Sequence, residues 1–280
     1  MEVLRNRKIT NENGENGGVI YMDNQILAKM RKLNWVLQES IAGVFSFNDL
    51  CNILSDLMDA NVYIANKKGK IIGVHYKIKS DSPTISDPET GVEKFPNEYN
   101  EALIKVTDTQ ANLKEEEALK IFKYDYDTYD KLHTIVPILG GGQRLGTLIL
   151  TRYNPEFSDE DLVLAEYGAT VVGLEIQRKK SLEMENEARK RSVVQMAIGT
   201  LSYSEIEAVQ QIFAELQGNE GLLIASKIAD RSGITRSVIV NALRKLESAG
   251  IIESRSLGMK GTHIKILNSK FYEELAKLSQ

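Results

Sequence analysis

Arg236, Ser237, Asn241 and Arg244 lie near the C-terminal end of the chain at spacings that let one helix present them together. At about 100° per residue, Ser237, Asn241, Arg244 and Ser248 fall on one arc, and Arg236 sits in the first turn. Ile239, Ala242, Leu243, Leu246 and Ala249 fall on the opposite arc and read as the core face. The polar arc has the chemistry of base-edge recognition. A guanidinium can donate bidentately to guanine O6 and N7, an Asn amide can pair with adenine N6 and N7, and a Ser hydroxyl can take either role. Lys245 near the end of the same helix and Lys260 beyond it are cations suited to phosphate.

The elements needed to position these residues are legible around them. Ser226 is expected to cap a first helix that breaks at Ser232-Gly233. Thr235 is expected to cap the second, Arg236 to Ala249, with Gly250 as its C′ residue. Ile251 to Ser256 and Thr262 to Leu267 read as two strands joined by a loop holding Gly258, Lys260 and Gly261. Two short helices about a Gly turn, followed by a hairpin with a basic tip, make a winged helix-turn-helix. Its second helix would enter the major groove N-terminus first. Between Gly221 and Asn268 there are eight Lys/Arg and three Asp/Glu, a net of +5, whereas the rest of the chain carries 27 basic and 36 acidic residues. The positive charge is local, as phosphate binding requires, so double-stranded DNA is the expected partner.

The run GITRSVIVNALRKLESAG followed by IIESRSLGMKGT resembles the DNA-binding segment of the CodY family, transcription regulators of low-GC Gram-positive bacteria. VVQMAIGTLSYSEIEAV (Val193 to Val209), DLVLAEYGATVVGLEI (Asp161 to Ile176) and TIVPILGGGQRLGTLIL (Thr134 to Leu150) resemble it too. The resemblance runs from about Asn24 to the C-terminus. It implies a nutrient-responsive regulator, chiefly a repressor, that works as a homodimer joined through N-terminal GAF domains. It also implies isoleucine, valine or leucine as effector, with GTP as a second effector in many members.

With 280 residues, 42% hydrophobic and 26% charged, the chain has the make-up of a soluble globular protein of two domains and a linker. No apolar run reaches membrane-spanning length and no basic-apolar-small signal opens the chain, so a cytoplasmic protein without membrane partners is expected. The sole cysteine, Cys51, shares a helical face with Leu50, Leu54 and Leu57 and reads as a buried small hydrophobe.

Along the chain, Met1 to about Met22 is rich in Asn, Gly and Glu and reads as a mobile tail, residues 1–22. Residues 23–175 read as an effector-sensing and dimerisation domain. In it, amphipathic helices are expected at Gln25 to Glu39 and at Phe47 to Met58, the latter started by Ser46 or Asn48. Asn61 to Ala65 and Ile71 to Tyr76 read as a hairpin through Asn66-Lys67-Lys68-Gly69, and Leu132 to Leu139 and Leu145 to Tyr153 as a second. Between the hairpins lie helical segments at Asn97 to Lys105 and around Lys114 to Phe122. That order predicts an antiparallel sheet flanked by helices, an α+β layer, and matches the GAF fold that the resemblance implies. A helix capped by Ser158 is predicted to run to about Ile198. Its middle, Lys179 to Arg191, is charged nearly all round, so residues 176–200 read as a solvated linker helix. Residues 201–280 hold the winged helix-turn-helix, opened by a helix with a capping box from Ser204 and Glu207.

Other chemistry finds little support in the sequence. Gly140-Gly141-Gly142 lacks the Gly-Lys-Ser/Thr ending of a phosphate cradle and precedes a strand, so a hairpin turn is the better reading. His75, His133 and His263 are scattered, and neither a metal site nor a nucleophile–base pair emerges, so no catalytic role and no enzyme are predicted. For the effector, the resemblance places a Phe-Pro-x-x-Tyr run on the pocket. Here it reads Phe95-Pro96-Asn97-Glu98-Tyr99, with Phe122 as a further wall. The family pattern also places an Arg about ten residues earlier, on the ligand carboxylate. Counting back lands on Ile85, and no Arg occurs between Arg31 and Arg144. Lys77, Lys79 or Lys94 could substitute, but only as point charges rather than bidentate forks. Two other readings stay open beside the ligand-responsive regulator: a ligand-independent DNA binder, and a nucleotide-hydrolysing enzyme that docks on DNA.

Overall fold

The computed structural model describes residues 24–42, 46–78, 84–88, 90–114, 117–118, 120–122, 131–216 and 218–279. The N-terminal tail, Lys79 and the tyrosine-rich run at Tyr124, Tyr126 and Tyr129 lie outside the described residues, as does much of the helix expected at Lys114 to Phe122. The chain divides into two compact units, residues 1–177 and 178–280.

In the first unit, helices α1 (Asn24–Ala42) and α2 (Phe47–Met58) precede the hairpin β1 (Asn61–Asn66) and β2 (Ile71–His75). A two-residue ladder β3 (Ile85–Ser86) and β4 (Glu93–Lys94) follows, then helix α3 (Asn97–Lys105) and strand β5 (Gln110–Leu113). The hairpin β6 (Leu132–Gly140) and β7 (Gln143–Arg152) leads into helix α4 (Asp159–Gly199). Five strands form one antiparallel sheet in the order β2-β1-β7-β6-β5. The local signals decide most starts. Ser46 caps α2 by accepting from Asp49 N, and Ser158 and Asp161 bond each other's backbone N–H at the head of α4. The Gly140-Gly141-Gly142 segment is a turn, with φ of 56° at Gly141 and 73° at Gly142, a conformation that costs glycine little. The edge strand β5 carries no alternating pattern and is not anticipated by the sequence.

Both faces of the sheet are covered, so successive strand residues are buried alike but serve different cores. Val62, Ile64, Val136, Leu148 and Leu150 pack with Leu33 of α1, Leu50, Cys51 and Leu54 of α2, and Leu164, Ala165 and Val172 of α4. Tyr63, Ala65, Ile135 and Ile149 face the other way and pack with Phe95, Tyr99, Leu103 and Phe122. Burial pushes the Cys51 thiol pKa up, consistent with an inert core residue. Arg152 closes the corner of this unit. Its guanidinium donates to Asp161 Oδ2 at 2.8 Å and to the carbonyls of Met58, Pro155 and Glu156, and lies 4.0 Å over the Phe157 ring.

In the second unit, the C-terminal turns of α4 are followed by α5 (Tyr203–Glu215), β8 (Glu220–Leu223), α6 (Ala225–Ser232), α7 (Arg236–Ser248), β9 (Ile252–Ser256), β10 (Thr262–Ile266) and α8 (Phe271–Ala276). Its sheet has the order β8-β10-β9. Val194, Ala197 and Ile198 of α4 are buried in the core of this unit with Val209, Ile212, Phe213, Ile239, Leu246 and Phe271. Lys270 reaches Glu187 at 2.6 Å and Arg191 reaches Glu273 at 2.8 Å, which ties those turns of α4 to α8.

Three local expectations are corrected here. The capping box belongs to Ser202 and Glu205, not to Ser204 and Glu207. Both frames of Ser-Tyr-Ser-Glu-Ile-Glu satisfy the rule, and the chosen one lets the Glu205 carboxylate also meet Lys245 at 2.7 Å. Ser226 is inside α6 rather than before it, because β8 runs straight into that helix and Ile224, which has no capping oxygen, occupies the N-cap. Thr235 does hold the N-cap of α7, but its side chain makes no capping bond and meets Ser237 Oγ at 3.0 Å instead.

Candidate nucleic-acid interface and effector cavity

Helix α7 is amphipathic as its sequence requires. Ile239, Ala242, Leu243 and Leu246 are buried, while Arg236, Ser237, Asn241, Arg244 and Ser248 are exposed. Gly233, with a φ of 69°, ends α6 and sets the turn into α7. At the far end Gly250 N–H donates to Glu247 O at 2.9 Å and Ile251 N–H to Leu246 O at 3.0 Å, a Schellman termination that starts β9 at once. Glu247 Oε1 accepts from both the backbone N–H and the hydroxyl of Ser254, at 2.9 and 3.0 Å, so the wing is bonded to the helix it flanks. Lys260 is exposed in the tip between β9 and β10. Arg255, exposed on β9 and paired in register with His263, adds a cation that the sequence reading did not name. Its membership of the strand was legible, but which of two alternating faces would be open was not.

Lys245 stands apart from the other cations. Its ammonium donates to Glu205 Oε2 at 2.7 Å and to Thr200 O at 3.0 Å, joining α7 to α5. The Lys245 hydrogen bond, together with the backbone bond from Ser202, holds the Glu205 carboxyl below the usual glutamate range. The sequence expects Lys245 on phosphate; in the structure its side chain is 41% exposed and its ammonium also links α7 to α5.

In the first unit the three residues expected at an effector come together. Tyr99 and Phe122 pack edge to face with ring centroids 5.7 Å apart, and Tyr63 lies 6.0 Å from Phe95 and 5.6 Å from Tyr76. Phe95, Tyr99 and Phe122 are all buried. Beside Tyr99 a hollow of about 300 Å³ is lined by Ile85, Lys94, Pro96, Asn97 and Glu98, so Ile85 does lie next to the aromatic run. Two of the lysines expected as substitutes are paired with carboxylates, Lys94 while lining this same hollow. Lys77 pairs with Asp56 at 3.0 Å and Lys94 with Asp87 at 3.0 Å. Arg144 is structural, donating to the carbonyls of Gly146, Val106 and Leu103 and to the Thr147 hydroxyl. Among the described residues no group of three or more His, Cys, Asp or Glu could hold a metal ion, and no helix is long and apolar enough to cross a membrane.

A sensory-type α+β domain followed by a winged helix-turn-helix is the architecture of a two-domain transcription regulator. The sequence profile of the CodY GAF-like domain matches residues 25–200, and that of the CodY helix-turn-helix domain matches residues 219–279. The chain is 56% identical over 254 residues to the global transcriptional regulator CodY of Clostridium acetobutylicum, covering 90% of this chain and 98% of that protein. It is 58% identical over 255 residues to the protein of that name from Thermoanaerobacter sp. strain X514, covering 91% and 99%. Among solved structures, the cofactor-binding GAF domain of the nutrient sensor CodY from Clostridium difficile is 46% identical, with 55% of this chain and 99% of that chain covered and a TM-score of 0.46. The chain belongs to the CodY family. Its relatives are named as transcriptional regulators and not as enzymes.

Proposed function

We propose that this protein is a cytoplasmic, ligand-responsive transcription regulator, chiefly a repressor, that binds operator DNA as a homodimer. The observation that carries this reading is α7, with its apolar arc buried and its arc of Arg236, Ser237, Asn241 and Arg244 open to a partner. Those four residues read base edges, and Lys260 and Arg255 on the wing meet phosphate. Dimer symmetry is mirrored in a palindromic site. The aromatic cavity of the first unit takes a branched-chain amino acid, isoleucine, valine or leucine, against Phe95, Tyr99 and Phe122, and GTP is the second effector. An effector changes DNA binding only as far as it binds the DNA-competent and incompetent arrangements unequally.

The test is a pair of titrations of the full chain with operator DNA from its own promoter region, with and without saturating isoleucine. A shift in DNA affinity of about tenfold is expected, since coupling between sites is typically about 1–3 kcal/mol. Identical curves would remove isoleucine as the effector. Sustained turnover of GTP in the same preparation would favour the enzyme reading instead.

A further inference from the structure

Helix α7 presents its first turn to a partner and is bonded to its neighbours through its last. Arg236 and Ser237 open the helix, and the N-cap Thr235 makes no capping bond there. At the other end Glu247 Oε1 accepts from the backbone N–H and hydroxyl of Ser254 on β9. One turn's breadth away, the Lys245 side chain reaches in the other direction, toward α5 and the end of α4.

Three helices meet at that ammonium. It donates to Thr200 O at 3.0 Å, one residue past Gly199, the last of α4. A helix C-terminus leaves carbonyls without intrahelical partners and partial negative charge, so a cation is favoured there. It also donates to Glu205 Oε2 at 2.7 Å, in the first turn of α5. The same Oε2 accepts from Ser202 N at 2.7 Å, and Ser202 Oγ accepts from Glu205 N at 3.3 Å. The acceptor is therefore held in place by the capping box and is only 7% exposed. Beneath the junction, Ala197, Ile198 and Leu201 share one core with Ile239, Ala242 and Leu246 of α7.

Apolar packing fixes the depth of a helix better than its tilt, because side chains in a core can slide past one another more readily than a directional bond can bend. Base readout needs the tilt as well, since its hydrogen bonds tolerate only about 0.5 Å and about 10–20°. At about 1.5 Å per residue, Arg236 is roughly 13 Å along the axis from Lys245, so a tilt of about 10° at the far end carries its backbone by roughly 2 Å. We propose that Lys245 is a positioning residue for base readout. By bonding Glu205 and Thr200 it sets the angle at which α7 carries Arg236, Ser237 and Asn241 into the groove, and its ammonium is spent on that junction rather than on phosphate. The assignment rests on the reading of α7 as the base-reading helix and names what fixes its geometry.

The experiment is a set of anisotropy titrations of the full chain with operator DNA and with a random duplex of equal length, over a salt series. Lys245→Met should weaken operator binding by about tenfold and leave the random duplex nearly unchanged. Its salt slope should match wild type, whereas a lost phosphate contact lowers it by about 0.9. Lys245→Arg, which can donate to both acceptors, should restore most of the operator preference. Glu205→Gln keeps a capping box, because Gln serves at that position, but removes the charge. It should weaken operator binding by roughly threefold with the slope unchanged. An ammonium meant for phosphate would instead be freed by Glu205→Gln, tightening both duplexes and steepening the slope. Thermal melts check that each variant is folded. Equal losses on both duplexes with a lower slope in Lys245→Met overturn the assignment. So does a folded Lys245→Met that keeps the full operator preference, which would leave Lys245 a stabilising role only. If Lys245→Met does not fold, unaltered or tighter operator binding by Glu205→Gln overturns it as well. Wild-type protein without operator preference removes the DNA-reading function itself, a result distinct from a preference that ignores Lys245.

Discussion

Arg236 and Lys260 are both exposed cations of the winged unit, yet they stand on different chemistry. Arg236 is in the first turn of α7, where on the proposed docking a guanidinium would reach base edges, whereas Lys260 is at the wing tip, where an ammonium would reach phosphate. Arg236→Ala is expected to cost ~1–3 kcal/mol of operator binding and relax preference at one base position. Lys260→Ala should weaken all sequences alike and lower the slope of log affinity against log salt by about 0.9. Anisotropy titrations over a set of single-base operator variants and salt concentrations separate the two. An Arg236→Ala protein with unchanged base preference would sink the docking geometry. Sequence alone put Lys245 in the same class as Lys260, because spacing reports an arc but not which neighbour packs beside it. That neighbour is the carboxylate of Glu205, 2.7 Å from the Lys245 ammonium.

Two connections between elements carry testable energetics. Arg152 joins the end of α2, the β7–α4 turn and the head of α4, with side-chain exposure of 8% for Arg152 and 10% for its partner Asp161. Arg152→Met leaves the buried Asp161 carboxylate without its cation and three carbonyls without the guanidinium donor, so a loss of about 3–5 kcal/mol is expected in denaturant unfolding of the first unit. A change under about 1 kcal/mol would mean that the pair hardly contributes. In the second unit, the folded-state pKa of Glu205 is held down by Lys245 and the Ser202 N–H. A depressed carboxyl adds stability that is fully present above the unfolded value and is lost as pH falls through the folded value. Wild type should therefore lose melting temperature below about pH 4.3, and Glu205→Gln should show a shallower loss over that range. Parallel acid profiles for the two proteins would show that the pairing adds nothing.

At the scale of the whole molecule, the division into two units falls within α4, between Gln177 and Arg178. The proposed homodimer is expected to appear in sedimentation velocity as a species of twice the chain mass of 31.4 kDa at micromolar concentration, and to bind a palindromic operator as one dimer. A monomer that binds half-sites independently would contradict it. What local chemistry dictates was readable from the sequence. The amphipathic period of α7, the glycines at its end, the two hairpins, the Ser158 cap and a start for α2 at Ser46 or Asn48 each depend on residues only a few positions apart. The tertiary structure alone decided between the two overlapping capping frames at Ser202 and Ser204, because their separation turns on Lys245 forty positions away. It alone placed edge strand β5, which has no period of its own and exists by pairing with β6. It alone set His133 opposite Thr151 and against the Phe122 ring, since strand pairing sets residues far apart in sequence side by side, and no spacing rule along the chain records which strands pair.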